Sequence, residues 1–341
     1  ADVDRVVISP GVSRKECIAR EAAARGIPVV GDIELFAENA LAPVIAVTGT
    51  NGKSTVTTLV AAMIIAAGLK AHAGGNLGDP ALALLERDVP DYYVLELSSY
   101  QLESTNSLRL QAAAVLNVTA DHMDRYEDLV EYAGAKERIF LHAEAGIVNA
   151  DDPMVSQMNL YAAQKIRFSL RDSTAEYCRT NTSIVCRGKP IMRLDELALP
   201  GLHNVANAMA AIAVGDAIGL PMSAMVETLR NFRGLPHRMQ IVADIDGVQF
   251  VNDSKGTNVG ATVAAVEGLQ RSLIVVAGGD GKGQDFGPLR DAFSGRVKHL
   301  VLIGRDRASI ADAVRDVCSI EFADHMDEAV QKAARQAQPG D

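Results

Sequence analysis

Val44-Ile45-Ala46-Val47-Thr48-Gly49-Thr50-Asn51-Gly52-Lys53-Ser54-Thr55 is the stretch from which the rest of the chain is read. Four apolar residues in a row predict a strand buried on both faces, and Thr48–Ser54 is a glycine-rich turn. A helix over 55–67 follows, stopped by Gly68. In a strand–turn–helix of this kind, successive backbone N–H groups converge on phosphate oxygens and the helix dipole adds its positive end. Lys53 supplies a cation for the β- and γ-phosphates, and the Ser54 hydroxyl can reach Mg²⁺. The general pattern GxxxxGK[ST] is broken at its first position, where Val47 stands in place of glycine. The bland alternative is an ordinary turn with a surface lysine. Residue types and context favour a nucleoside triphosphate site over Gly49, Thr50, Asn51, Gly52, Lys53, Ser54 and Thr55. No guanine-reading Asn-Lys-x-Asp element accompanies it, so ATP is favoured over GTP. The loop does not name a reaction, because kinases, GTPases, helicases and ligases share it.

Composition narrows the classes. A chain of 341 residues has room for two or three domains. With 48% hydrophobic and 22% charged residues, wholesale disorder is excluded. The net charge of −10, without any basic run, argues against duplex binding, and the lack of Trp with only 4% aromatics argues against single-strand stacking. Cys17, Cys178, Cys186 and Cys318 are scattered, which is neither a zinc framework nor a disulfide scaffold and fits reduced thiols in a cytosol. The apolar helix from Ser54 to Ala67 would span roughly 20 Å, too short for a bilayer, and no signal peptide opens the chain.

Outward from the loop, short β-branched runs alternate with helical patterns, the rhythm of parallel α/β folds. Val6–Ile8, a helix over 14–25 and Ile27–Val30 precede a short acidic turn, Gly31-Asp32-Ile33-Glu34. Residues 1–42 read as the tail of a domain whose start lies upstream. Residues 43–233 form a central unit with strands at 92–97, 112–118 and 146–149 and a helix over 129–142. Runs at 166–169, 183–187 and 191–194 suggest antiparallel edge hairpins, and a helix over 203–218 closes the unit. Gly234–His237 is a linker into a third unit, 234–341, with a hairpin around Asp246-Gly247, strands at 273–277 and 299–303, and helices near 308–317 and 326–337. The closing Pro339-Gly340-Asp341 would lead into a further strand, so this unit also reads as incomplete.

The segment Thr48–Thr55 resembles the ATP loop of the Mur ligases and folylpolyglutamate synthases. Further segments follow in that family's order: Gly74–Gly78, Leu95–Leu102, Asn117–Arg125, Leu202–Asn207, Gly234–Arg238, Asn252–Asn258 and Gly278–Lys282. With Ser9-Pro10-Gly11 and Gly31–Leu35, the chain is similar over essentially its whole length to the branch of Mur ligases that adds D-glutamate. The resemblance implies an α/β fold: a P-loop-containing central domain, a partial N-terminal α/β domain for the uridine diphosphate substrate, and a C-terminal Rossmann-like domain for the amino acid. It implies a ligase of peptidoglycan synthesis that uses ATP to activate the carboxylate of UDP-N-acetylmuramoyl-L-alanine as an acyl phosphate, which the amine of D-glutamate then attacks. It also implies a cytoplasmic monomer with two Mg²⁺ ions. Another Mur ligase, a folylpolyglutamate synthase, or a nucleotide-binding fragment without turnover are the alternatives.

Chemistry of this kind is mostly positioning and charge neutralisation, so cations and metal ligands are expected in place of conventional bases. Glu96 lies at the end of a buried strand, where α/β sheets place ligands, and the resemblance makes it a Mg²⁺ ligand with Ser54. It makes His122 a ligand of the second ion near the substrate carboxylate; without the motif, a histidine beside Asp121 and Asp124 reads as a salt-bridged loop residue. Lys136 reads on residues alone as a solvated helix lysine. In the family the matching lysine is carbamylated and becomes a metal ligand, which requires a neutral amine. Asn204 and Asn207, three apart on a helix, are implied adenine contacts, Asn204 being otherwise a cap. Arg238 and Asp253 are implied phosphate and ribose contacts. Lys255, Thr257 and Lys282 would line the amino-acid end, with Lys282 suited to a dicarboxylate. Asn76, Ser98 and the Ser9-Pro10-Gly11 turn are candidates for the UDP-sugar, the turn being otherwise a strand stop. ATP ligands on both sides of the 234–237 linker imply domain closure.

Overall fold

A computed structural model describes residues 3–161, 163–199 and 201–341. The chain forms two compact units: one takes the residues up to Val118 with Arg125–Arg233, the other Thr119–Asp124 with Gly234–Asp341.

The first unit opens with β1 (Val6–Val7), α1 (Cys17–Ala24) and β2 (Val29–Val30), a small parallel pair, followed by α2 (Asp32–Asn39). Its main body runs β3 (Val44–Thr48), α3 (Lys53–Ala66), β4 (Ala71–Gly75), α4 (Ala81–Leu84), β5 (Tyr92–Glu96), α5 (Ser99–Glu103), β6 (Leu110–Val115), α6 (Leu129–Glu137), β7 (Ala143–Asn149), α7 (Pro153–Ser156), β8 (Gln164–Ser169), β9 (Tyr177–Arg179), β10 (Ser183–Cys186), β11 (Lys189–Arg193), α8 (Leu202–Ala217) and α9 (Met222–Asn231). The strands form one nine-stranded sheet in the order β11-β10-β9-β8-β7-β6-β3-β5-β4. All five residues of β3 are buried between β5 and β6, both parallel to it, as the apolar run 44–47 requires. α3 and α8 are apolar around most of their circumference because each packs on the sheet and on the other; Val56, Val60, Ile64, Ala208 and Ile212 are fully buried in the shared core.

Three expectations need correction. Gly31–Glu34 is not a turn but the start of α2: Asp32 and Glu34 occupy its first turn, where carboxylates complement the dipole, while Ile33 and Phe36 are buried. The runs after 164 are only partly antiparallel hairpins. β8 pairs parallel with β7 and β9, and antiparallel pairing begins at β9–β10 and β10–β11. The helix expected over 129–142 ends at Glu137, passes through a 3₁₀ turn at Arg138–Phe140, and gives way to β7 at Ala143.

The second unit contains β12 (Gln240–Ile245) and β13 (Val248–Asn252), the hairpin expected around Asp246-Gly247. It continues with α10 (Val259–Gly268), β14 (Leu273–Gly278), α11 (Pro288–Phe293), β15 (Val297–Ile303), α12 (Arg307–Val314), β16 (Ser319–Phe322) and α13 (Met326–Gln336). β14, β15 and β16 form a parallel three-stranded sheet over a core of Val266, Phe293, Leu300, Leu302 and Val314. Among the described residues no helix is long and apolar enough to cross a membrane.

Candidate active site

In the first unit the loops with chemical potential leave the C-terminal ends of β3, β5 and β6, where a parallel sheet presents its ligand crevice. The Thr48 hydroxyl donates to the Leu97 carbonyl at 2.7 Å, fastening the ends of β3 and β5 together. Gly52 takes φ +85° at the start of α3, and a Cβ there would stand 2.5 Å from Asn207 Oδ1. Both conditions demand glycine. Lys53 Nζ donates to the carbonyls of Gly49 (2.9 Å) and Thr50 (2.8 Å), while Ser54 and Thr55 are buried in the first turn. Asn207 Nδ2 lies 3.5 Å from Asn204 Oδ1, so the two asparagines do share a face of α8. The helix is capped by Gly201, which removes capping as the duty of Asn204. Asn204 instead joins Thr55, Leu59, Leu197, Leu199 and Phe232 around a small crevice with mostly apolar walls.

Glu96 ends β5 at 2% exposure. Its Oε1 accepts from Asn76 Nδ2 at 2.7 Å, and its buried Oε2 has no hydrogen-bond partner. A carboxylate oxygen left unpaired in the interior is costly, and a hard cation is the partner that suits it. Lys136 is 1% exposed, so the reading as a solvated helix lysine fails. Its Nζ donates to the Gly49 carbonyl at 2.9 Å and lies 4.3 Å from the centre of the Tyr132 ring. Lys136 is thereby brought to the same loop as Lys53.

The remaining first-unit candidates lie on neighbouring segments. Ser98 caps α5, accepting the Gln101 N–H at 3.2 Å, and Gln101 Nε2 donates to Asp32 Oδ2 at 3.0 Å. The Ser9-Pro10-Gly11 turn is closed by Val12 N–H donating to the Ser9 carbonyl, and Arg125 donates to the Gly11 carbonyl at 3.2 Å.

His122 belongs to the second unit, in a backbone with φ +57°. Beside it Asp121, 6% exposed, is the centre of a polar cluster. Asp121 Oδ1 pairs with Lys282 Nζ at 3.2 Å, and Oδ2 lies 3.5 Å from Asn258 Nδ2 and 3.7 Å from His122 Nε2. Asn258 caps α10 and Gln284 accepts the Val259 N–H, so the loops carrying Thr257 and Lys282 are tied together. Asp253 accepts the Met239 N–H at 3.0 Å; burial pushes its carboxyl above the usual range, against that hydrogen bond and the nearby Arg238 charge. The Lys255 N–H donates to the His237 carbonyl at 3.2 Å.

Among the described residues no group of three or more His, Cys, Asp and Glu side chains gathers as a metal cage. Ser54, Glu96 and Lys136 lie in the first unit and His122 in the second. Asp121, Asn258 and Tyr132 were not singled out as site residues from sequence. From sequence Asp121 is visible only as an acid beside His122, and a cap such as Asn258 is visible only once its helix is known. The crevice residues Leu197, Leu199 and Phe232 read as ordinary apolar positions.

Residues 47–215 match the Mur ligase middle domain, and residues 237–341 match the Mur ligase glutamate ligase domain. The chain is 49% identical over 348 aligned positions to UDP-N-acetylmuramoylalanine--D-glutamate ligase of Nitrosococcus oceani, covering all of this chain and 77% of that protein. It is 48% identical to the protein of the same name from Methylobacillus flagellatus, with the same coverage. Among solved structures it resembles MurF from Acinetobacter baumannii (TM-score 0.73, 20% identity, 88% of this chain and 71% of that one). It also resembles the bifunctional folylpolyglutamate synthase/dihydrofolate synthase from Yersinia pestis (TM-score 0.70, 20% identity, 91% and 88%). These two likenesses speak to the fold, whereas the relatives near half identity decide the branch. The chain belongs to the Mur ligase family, alongside the UDP-N-acetylmuramoylalanine--D-glutamate ligases.

Proposed function

We propose that this chain forms an amide bond between D-glutamate and UDP-N-acetylmuramoyl-L-alanine at the expense of ATP, a step of peptidoglycan precursor synthesis. The supporting observation is the convergence of Lys53 and Lys136 on the Gly49 carbonyl of the loop 49–55, with the unpartnered Glu96 oxygen at the end of the strand paired with β3, in a chain near half identical to relatives of that name.

The γ-phosphoryl group of ATP passes to the substrate carboxylate, breaking the bond to ADP and leaving an acyl phosphate. The D-glutamate amine then attacks the acyl carbon, loses a proton, and the tetrahedral intermediate expels inorganic phosphate. Loop amides and Lys53 would hold the triphosphate in line and Asn204 and Asn207 would contact the adenine, with Arg238 and Asp253 the proposed phosphate and ribose contacts. Ser54 and Glu96 would hold Mg²⁺, which supplies charge neutralisation on the phosphates when bound. His122 and a carbamylated Lys136 would serve a second ion, the carbamate forming on the buried Lys136 side chain. Lys282, with Lys255 and Thr257, would receive the amino acid, and Ser9, Pro10, Gly11, Asn76 and Ser98 would receive the UDP-sugar. A cytoplasmic location fits the nucleotide-sugar substrate and four thiols that are free in the structure.

The test is phosphate release with ATP, Mg²⁺, UDP-N-acetylmuramoyl-L-alanine and D-glutamate, leaving out each in turn. Release that needs all four is the expected result. Release with a different amino acid would move the chain to another branch, and ATP binding without release would reduce it to a nucleotide-binding fragment.

A further inference from the structure

Asn117 follows β6 by two residues and touches the phosphate loop along its whole polar edge. Its Oδ1 accepts the Asn51 N–H at 2.8 Å, and its Nδ2 donates to the Asn51 carbonyl at 3.0 Å. Its own carbonyl accepts the Thr50 N–H at 2.9 Å. A primary amide with one donor face and one acceptor face is the side chain that can grip both polar groups of one residue. The gripping residue is itself fixed. The Leu116 N–H donates to the Thr48 carbonyl at 3.0 Å, Asn149 Nδ2 donates to the Leu116 carbonyl at 2.9 Å, and the Val118 N–H donates to Asp152 Oδ2 at 2.8 Å. The approach is also close: a Cβ on Gly49 would come within 3.1 Å of Leu116 Cβ and 3.3 Å of the Asn117 nitrogen.

We propose that Asn117 is a positioning residue for the phosphate loop: by holding the Thr50 and Asn51 amides on itself it presets the peptides that follow, so that the amides of residues 52–54 face the phosphates without reorganisation on binding. Phosphate affinity at such a loop depends on several N–H groups pointing at one place, and each peptide left to rotate would have to be ordered when nucleotide arrives. Asn117 thus acts through Asn51 and not on the nucleotide. This inference rests on the nucleotide-binding reading above.

The test compares wild type with Asn117→Ala and Asn117→Asp in direct binding of ATP, ADP and adenosine, with Mg²⁺ present, by calorimetry. No turnover is needed. Asn117→Asp keeps the acceptor for the Asn51 N–H, loses the donor to the Asn51 carbonyl, and remains nearly isosteric. It therefore carries the test if Asn117→Ala does not fold. The expected result is a loss on the order of tenfold or more in ATP and ADP affinity, as for two hydrogen bonds, with adenosine affinity within about twofold of wild type. Equal losses for all three ligands would show a general structural role and overturn the proposal, as would variants that bind ATP like wild type. Wild type that binds no ATP would overturn the nucleotide-site reading itself, and this inference with it.

Discussion

Lys136→Met separates stability from chemistry. The substitution keeps the length and apolar stem of a side chain that is 1% exposed and removes only its ammonium. Against folding, it deletes a charge-assisted hydrogen bond to the Gly49 carbonyl, about 1.5–3 kcal/mol, and a contact with the Tyr132 ring of about 0.5–2 kcal/mol. In favour, it abolishes the burial of a charge, which costs several kcal/mol even after relaxation. The Gly49 carbonyl is not orphaned, because Lys53 Nζ still donates to it at 2.9 Å. The two sides come out within about 2 kcal/mol of one another, so the melting temperature should move by less than about 8 °C in a unit of this size. Lys136→Ala, by contrast, would open a cavity and lose about 2–5 kcal/mol. If Lys136 serves the reaction, Lys136→Met should nonetheless lose at least a hundredfold in phosphate release. Calorimetric melting and phosphate release on the same preparation decide it. A Met variant that melts more than about 10 °C lower would show that the ammonium is a structural tie, and one that melts and turns over like wild type would remove Lys136 from the chemistry.

Three further outcomes are expected. Glu96→Gln should weaken Mg²⁺ dependence of ATP binding by about tenfold or more while leaving the fold intact, measured by Mg²⁺ titration at fixed ATP; unchanged dependence would remove Glu96 from the metal site. Gly52→Ala should cost about 1–2 kcal/mol for its left-handed backbone and further displace Asn207, lowering the melting temperature and nucleotide affinity together in thermal and binding assays. Asp253 has a carboxyl raised in the folded state, so the folded chain holds its proton longer than the unfolded one and stability from this group falls as pH rises. Asp253→Asn should therefore stabilise the second unit above the raised carboxyl range and give no gain below the ordinary one, as followed by denaturant melts across pH; a gain independent of pH would refute the assignment.

Much of the fold was legible because its strongest signals are physical and local. The run 44–47 has no polar residue to turn outward, and Gly52-Lys53-Ser54 has few uses other than a phosphate loop. What misled was ambiguous charge: Asp32 and Glu34 look like a turn and act as first-turn helix acids, and only the burial of Ile33 and Phe36 distinguishes the two. The direction of β8 is invisible because a short alternating run such as Ile166-Arg167-Phe168-Ser169 has the same period of two in parallel and antiparallel pairing. At the site, Lys136 shows the limit most sharply. A Cβ on Gly134 would meet nothing within 4 Å, so the small neighbour marks no close approach; burial of the lysine depends on α6 meeting the loop after β3, a contact between segments more than eighty residues apart. In the sequence Asn117 is only the first residue of the segment Asn117–Arg125, and its double hydrogen bond to Asn51 exists only once β3 and β6 lie side by side.

The second unit is not one uninterrupted stretch of polypeptide. Residues 119–124 belong to it although they stand more than a hundred positions ahead of its remainder. A gene fragment starting at Gly234 would therefore encode Lys282 and Asn258 but omit Asp121, the carboxylate both of them meet. Exchange of such a fragment between relatives would not be a clean transplant. The incoming lysine would inherit whatever residue the recipient carries at the position of Asp121, so only recipients with an acid there could take the segment without leaving a cation stranded. The covalent boundary at the linker and the boundary of chemical dependence are thus different places in the gene.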